Sequence, residues 1–171
     1  RGSVLDLKLI SREKDGGAVL AAAVGGARAV CTASQLGKKL GTKAGAKVRG
    51  VVLDADPLSG ELTVSLRADL VAAHEAAAEK PLKPKPGKEV ACLVELSVPG
   101  LLVLSLPQEH GLCLGLAPPQ PHWNLAGVAA TAAAAAARYR PGQALQAVVE
   151  RAAKGEPLSL RLRDDDGGAA A

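Results

Sequence analysis

Val48-Arg49-Gly50-Val51-Val52-Leu53-Asp54-Ala55-Asp56-Pro57-Leu58-Ser59-Gly60-Glu61-Leu62-Thr63-Val64-Ser65-Leu66-Arg67 reads as strand, tight turn, strand. Val48, Val51, Val52 and Leu53 form a β-rich run. Asp56, Pro57, Ser59 and Gly60 carry turn chemistry. Leu62, Val64 and Leu66 then alternate with Thr63, Ser65 and Arg67, the period of a half-buried strand. The same phrase returns near the end of the chain. Ala144 to Glu150 leads into Lys154-Gly155-Glu156-Pro157 and then Leu158-Ser159-Leu160-Arg161-Leu162-Arg163. A closing hairpin that occurs twice predicts two tandem small β domains.

Working upstream, Leu5, Leu7 and Leu9 share one face of a first strand, Ser3 to Ile10. Asp15-Gly16-Gly17 turns into a second strand, Ala18 to Val24, and Gly25-Gly26 turns into a third, Ala27 to Thr32. A polar loop with Lys38, Lys39, Lys43 and Lys47 precedes the opening hairpin. From Arg67 to Lys80 the pattern becomes helical, with Leu70, Val71, Ala73 and Ala77 among charged residues. Pro81-Leu82-Lys83-Pro84-Lys85-Pro86-Gly87 ends it, since proline lacks the amide donor a helix needs.

Downstream the order repeats. Glu89 to Leu96, Leu101 to Leu106 and Gly111 to Leu116 are three strands. An insertion with Pro118, Pro119, Pro121 and the alanine run Ala126 to Ala137 separates them from the closing hairpin. The predicted organisation is a first repeat with its helix over 1–80, a Pro/Lys linker over 81–88, a second repeat over 89–163, and an acidic tail over 164–171. Five short strands with a long connection after the third is the plan of an OB-fold barrel, so the chain is expected to be all-β: two tandem OB-fold barrels joined by a short helix. A small Greek-key sandwich is the rival.

Composition narrows the function. The chain has 171 residues, 48% of them hydrophobic, but no Phe or Met, one Trp and one Tyr. Cores of Ala, Val and Leu bury less area per residue than aromatic ones, so each domain is expected to be modestly stable. A net charge of +4 is compatible with a polyanionic partner. Cys31, Cys92 and Cys113 are an odd number without a C-x-x-C, which favours a reducing compartment over a disulfide framework. No uninterrupted apolar run reaches the ~18 residues of a membrane span. The chain starts at Arg1 rather than Met, as expected of a segment of a longer protein.

The motifs resemble the S-one RNA-binding domain, an OB-fold module that occurs in arrays. Its strand phrase Gly-Ala-Phe-Val stands here as Gly17-Ala18-Val19-Leu20 and as Gly100-Leu101-Leu102-Val103. Its phrase Leu-Val-His-Ile-Ser-Glu-Leu stands as Val30-Cys31-Thr32-Ala33-Ser34-Gln35-Leu36 and as Leu112-Cys113-Leu114-Gly115-Leu116. The two-repeat run is similar to internal repeats of the family of ribosomal RNA processing protein five, the long multi-repeat factors of eukaryotic ribosome assembly. The opening Gly2 to Leu9, the run Val64 to Val71, and Glu95-Leu96 through Leu106 with Gly142-Gln143 carry that likeness. The resemblance implies an architectural role in pre-rRNA processing in the nucleolus, without catalysis or cofactor. It implies as partners pre-ribosomal RNA, small-subunit assembly proteins and snoRNP in one large ribonucleoprotein, and no membrane.

Family members that grip RNA present Phe and His rings, which stack on bases for about 1–3 kcal/mol each. Val19 and Thr32 stand at those positions in the first copy, and Leu102 and Leu114 in the second. An architectural role is therefore expected over single-strand gripping, and direct RNA binding through a basic loop is the alternative. That loop, Lys38, Lys39, Lys43, Lys47 and Arg49, is the candidate phosphate contact; a merely solubilising loop is the plainer reading. Lys80, Lys83, Lys85 and Lys88 read as a charged linker. Trp123, the sole large aromatic, is a candidate docking residue for a partner, against the plainer reading of a loop anchor. His110, Cys113 and His122 fit no familiar zinc spacing, so no metal site is expected. Ser105 and Ser159 lie inside strands, with no nucleophile elbow around them.

Overall fold

A computed structural model describes residues 2–37, 43–79, 85–98, 100–106, 113–117, 139–152 and 157–163. The chain divides into two compact units, Arg1–Lys80 and Pro81–Ala171.

The first unit is a closed barrel of five strands: β1 (Val4–Arg12), β2 (Ala18–Ala22), β3 (Arg28–Cys31), β4 (Lys47–Ala55) and β5 (Leu62–Ser65). Around the barrel the order is β1-β2-β3-β5-β4. All neighbours are antiparallel except β3 and β5, which run parallel. The decisive hairpin is β4–β5. Its turn is held by Asp56, whose carboxylate accepts from the Leu58 amide at 2.9 Å and the Ser59 hydroxyl at 2.5 Å. Those bonds, Ser59 first, hold the Asp56 carboxyl below its ordinary range. Gly60 closes the turn at φ +71°, a conformation that side chains with a Cβ rarely adopt.

Alternation along the strands sends Leu7, Leu9, Ala18, Leu20, Ala29, Cys31, Val52 and Val64 into one core. A bulge at Leu53 breaks the β4–β5 register. Val51 and Leu53 lie outside that core yet are fully buried. The helix α1 (Ala68–Glu79) packs on β4 and β1 and buries Leu70 and Ala73. A bidentate pair at the helix start, Arg67 Nε to Asp69 Oδ1 at 3.2 Å and Nη2 to Oδ2 at 2.5 Å, places a carboxylate in the first turn. That position suits the positive end of the helix dipole.

On the same helix, His74 is partly buried, and its Nε2 has no hydrogen-bond partner among the described residues. Burial holds its pKa below the ordinary imidazole value, against a hydrogen bond to the Gly2 backbone that pulls upward. The folded state therefore favours neutral His74. As pH falls through about 6.5 the unfolded chain takes up this proton first, so stability is lost toward acid. Urea midpoints between pH 7.5 and 5.5 are expected to fall, with a smaller drop in His74→Leu; an equal drop in both proteins refutes the assignment.

The second unit repeats the plan with β6 (Glu89–Val98), β7 (Leu101–Leu106), β8 (Cys113–Ala117), β9 (Ala144–Arg151) and β10 (Leu158–Leu162). Its closed order is β6-β7-β8-β10-β9, with β8 and β10 parallel. The core gathers Val90, Cys92, Val94, Leu102, Leu104, Leu106, Leu145, Leu160 and Tyr139. Gly115 faces it because nothing larger fits: a Cβ there would lie 2.3 Å from Leu160 Cδ1. Two five-stranded barrels with one parallel pair each are tandem OB-fold barrels, as the strand pattern predicts.

Candidate nucleic-acid interface

Strand register fixes which side chains share a row on a barrel's outer face. In the first barrel Lys47 is opposite Lys8, Lys8 opposite Ala21, and Ala21 opposite Arg28. One row across β4, β1, β2 and β3 thus carries Lys47, Lys8, Ala21 and Arg28. Lys8, Lys47 and Arg28 are exposed. The next row is Ser11, Val19, Val30 and Thr63, with Ile10 in the bulge beside it at 52% exposure. The face is a cationic strip beside an aliphatic shelf.

Two like charges directly opposite on antiparallel strands destabilise the pair. Lys8 and Lys47 are such a pair, and neither has a described carboxylate partner within salt-bridge distance. Arg28 meets Glu61 Oε2 at 3.1 Å in a largely exposed pair, which contributes little to stability. One row away, Arg49 is occupied. It faces Asp6 across the strands, with Nε 3.6 Å from Asp6 Oδ1, and its Nη1 lies 2.5 Å from Glu75 Oε1 on α1.

Of the loop cations expected to touch phosphate, Lys43 is exposed beside the turn into β4, Lys47 joins the row, and Arg49 is held by carboxylates. Lys38, Lys39 and Trp123 lie outside the described residues. Lys8 and Arg28, which complete the row, were not singled out in the sequence. Lys8 carried a signal, since it alternates outward between Leu7 and Leu9.

A cleft of about 1140 Å³ opens beside the short 3₁₀ turn Ala33–Gln35, lined by Leu36, Val48, Leu66, Val71 and the ion-paired Arg49 and Arg67. With Glu75 and Asp69 at those arginines, its charge is balanced.

The second barrel uses the same registers with different residues. Both first strands carry a bulge one residue after the matched pair, Leu9 with Leu20 and Val94 with Leu104. Lys47, Lys8, Ala21 and Arg28 therefore correspond to Ala144, Leu93, Ser105 and Leu114. Ser11, Val19 and Val30 correspond to Leu96, Val103 and Leu116. No cation remains in the row. Val103 and Ser105 are 0% exposed and Leu114 is 2% exposed, Leu93, Leu96 and Leu116 are partly buried, and Ala144 at the end of the row is exposed. Glu95, in the bulge, is buried and accepts the Ser105 hydroxyl at 2.5 Å.

The register also corrects the ring positions. Leu102 points into the core, and Val103 is the structural counterpart of Val19. Leu114 is on the outer face, as the counterpart of Arg28. Thr32 is exposed, its hydroxyl 3.2 Å from that of Ser34.

The described cysteine thiols are packing groups. Cys92 is fully buried and donates to the Leu145 carbonyl at 3.4 Å. Burial pushes the Cys31 thiol up to about 11, against a backbone hydrogen bond from Leu66 and the charge of Arg12. A thiol so protonated is a poor nucleophile. Among the described residues no cluster of His, Cys, Asp and Glu is placed to hold a metal, and no helix is long and apolar enough to cross a membrane.

The fold thus defines a pair of OB-type barrels, one with a cationic row on this face and one whose matching row is uncharged and mostly buried. No family model and no curated protein matches the chain. Among solved structures it is similar to a complex of a/eIF2alpha, aDim2p and rRNA from Pyrococcus horikoshii, at 23% identity over 46% of this chain and 51% of that one, with a TM-score of 0.37. It is also similar to a multidomain protein with nucleic acid binding domains from Streptococcus pneumoniae, at 16% identity over 94% of this chain and 51% of that one, with a TM-score of 0.37. The chain spans about half the length of each. The assignment of two OB-type barrels rests on the strand pairing itself.

Proposed function

We propose that this chain is a non-catalytic, RNA-contacting architectural segment of a eukaryotic ribosome assembly factor. In this reading the first barrel touches the RNA backbone through Lys8, Lys47 and Arg28, and the second barrel serves as framework. The observation that carries it is the Lys8–Lys47 pair, two like charges held opposite each other on the outer face of an OB barrel. Such a pair costs stability in the free protein, and a phosphate between the ammonium groups reverses the sign of that contribution. The mostly buried face of the second barrel, with the three cations exchanged for Ala144, Leu93 and Leu114, supports the framework half of the reading.

The setting follows from the ordered sequence motifs similar to ribosomal RNA processing protein five: pre-rRNA processing in the nucleolus, beside small-subunit assembly proteins and snoRNP. Titration of single-stranded RNA at increasing salt tests the RNA contact. Three phosphate contacts give a slope of log K against log salt of roughly −2 for single strands. Absence of binding by the folded chain, or binding indifferent to salt, sinks the proposal.

A further inference from the structure

We infer that the RNA-facing strip of the first barrel reads the phosphodiester backbone alone and is blind to base identity; this rests on the function proposed above. The inference comes from what the strip and its surroundings can do chemically. Sequence reading of single strands uses rings that stack on bases, or amide and guanidinium groups that pair with base edges. Residues 1–80 contain no Phe, Tyr or Trp. Their one His is His74, partly buried on α1 against the Gly2 backbone and away from the strip. They contain no Asn, and their one Gln, Gln35, is 2% exposed.

The guanidinium groups on and near the strip are already committed in the free protein. Arg28 is at Glu61, Arg49 at Glu75 and Asp6, and Arg67 at Asp69, and Arg12 at the end of β1 is engaged too. The side chains at the centre of the face are Val19, Ala21 and Val30, which offer neither π surface nor hydrogen bonds, and Ser11 and Thr63 at the ends of the row add single hydroxyls, which pair with any base. Arg28 acts there as a charge, its Nε held by Glu61, and it is joined by the ammonium groups of Lys8 and Lys47, point charges without the planar fork that discriminates a base edge. They bring charge and reach to the site, and nothing that distinguishes one base from another.

The test is competition with the intact chain. A labelled polyuridine is displaced by polyadenosine, by polycytidine, and by inorganic polyphosphate, a linear polyanion with no base or sugar, all matched in phosphate concentration. The three homopolymers are expected to bind within about threefold of one another, and polyphosphate is expected to displace RNA completely. Lys8→Glu is expected to weaken RNA and polyphosphate by the same factor. One homopolymer held about tenfold tighter than the others overturns the inference, as does polyphosphate that fails to displace bound RNA. Either result leaves the proposed RNA contact standing. Loss of all salt-dependent RNA binding overturns both.

Discussion

Lys8→Glu is expected to stabilise the first barrel while weakening its hold on RNA. Lys8 is exposed, and its cross-strand neighbours are Lys47 and Ala21. Glutamate at this position turns the one like-charge pair of the row into an opposite-charge pair. The gain is roughly 0.2–1 kcal/mol, read as a rise in the urea midpoint with an unchanged slope. RNA meets the reverse. One favourable charge becomes unfavourable at the phosphate, which on a wet surface amounts to about 2 kcal/mol, or tenfold and more in Kd at low salt. The salt slope should also shrink by roughly one contact. Opposite signs in the two measurements identify a group kept for binding rather than for folding. A residue with only a structural role moves both the same way or neither. Asp6→Lys is the converse control: it places a new like charge opposite Arg49, so it should destabilise the barrel without weakening RNA.

The architecture was legible in the chain because each strand carries its own period-2 signal and each turn its own chemistry. Leu62, Val64 and Leu66 announce β5, and Asp56 to Gly60 announce its turn. The predicted helix over 67–80 is α1, Ala68–Glu79. The proposed interface was less legible, because it is a property of register. Lys47, Lys8 and Arg28 are far apart in sequence and meet only where β4, β1, β2 and β3 align. Loop lysines stand out in a sequence, whereas a lysine inside a strand looks like ordinary alternation.

Arg49 shows the opposite case. It reads as one more cation, but α1 brings Glu75 to it and β1 brings Asp6, and neither contact has a local signature. The misplaced Leu102 has a simpler cause. A degenerate phrase such as Gly100-Leu101-Leu102-Val103 can slide by one residue, and in a strand that slip exchanges core for surface. The pairing of Val103 with Leu116 and Leu96 settles the phase.

Because each barrel holds its own core, the same cavity made in each should have different functional consequences. Leu20 and Leu104 occupy matching positions, opposite Leu9 and Val94, and both are 0% exposed. Truncation of either to alanine should cost about 2–5 kcal/mol, the transfer of a buried leucine plus the cavity it leaves. A small domain has only about 5–15 kcal/mol to lose, and these cores have few large side chains to move into the space. Leu20→Ala should therefore lower the melting of the first barrel and weaken RNA binding in proportion to the fraction unfolded. Leu104→Ala should lower the melting of the second barrel by a similar amount, yet leave the RNA titration and its salt slope unchanged. The measurement is a thermal scan of each variant paired with RNA titration at two salt concentrations. If Leu104→Ala weakens RNA binding as much as Leu20→Ala does, the second barrel contributes contacts, and assignment of the backbone contact to the first barrel alone is wrong. If only Leu20→Ala does so, the exchange of Lys8 for Leu93 and Arg28 for Leu114 marks a division of labour between two copies of one fold.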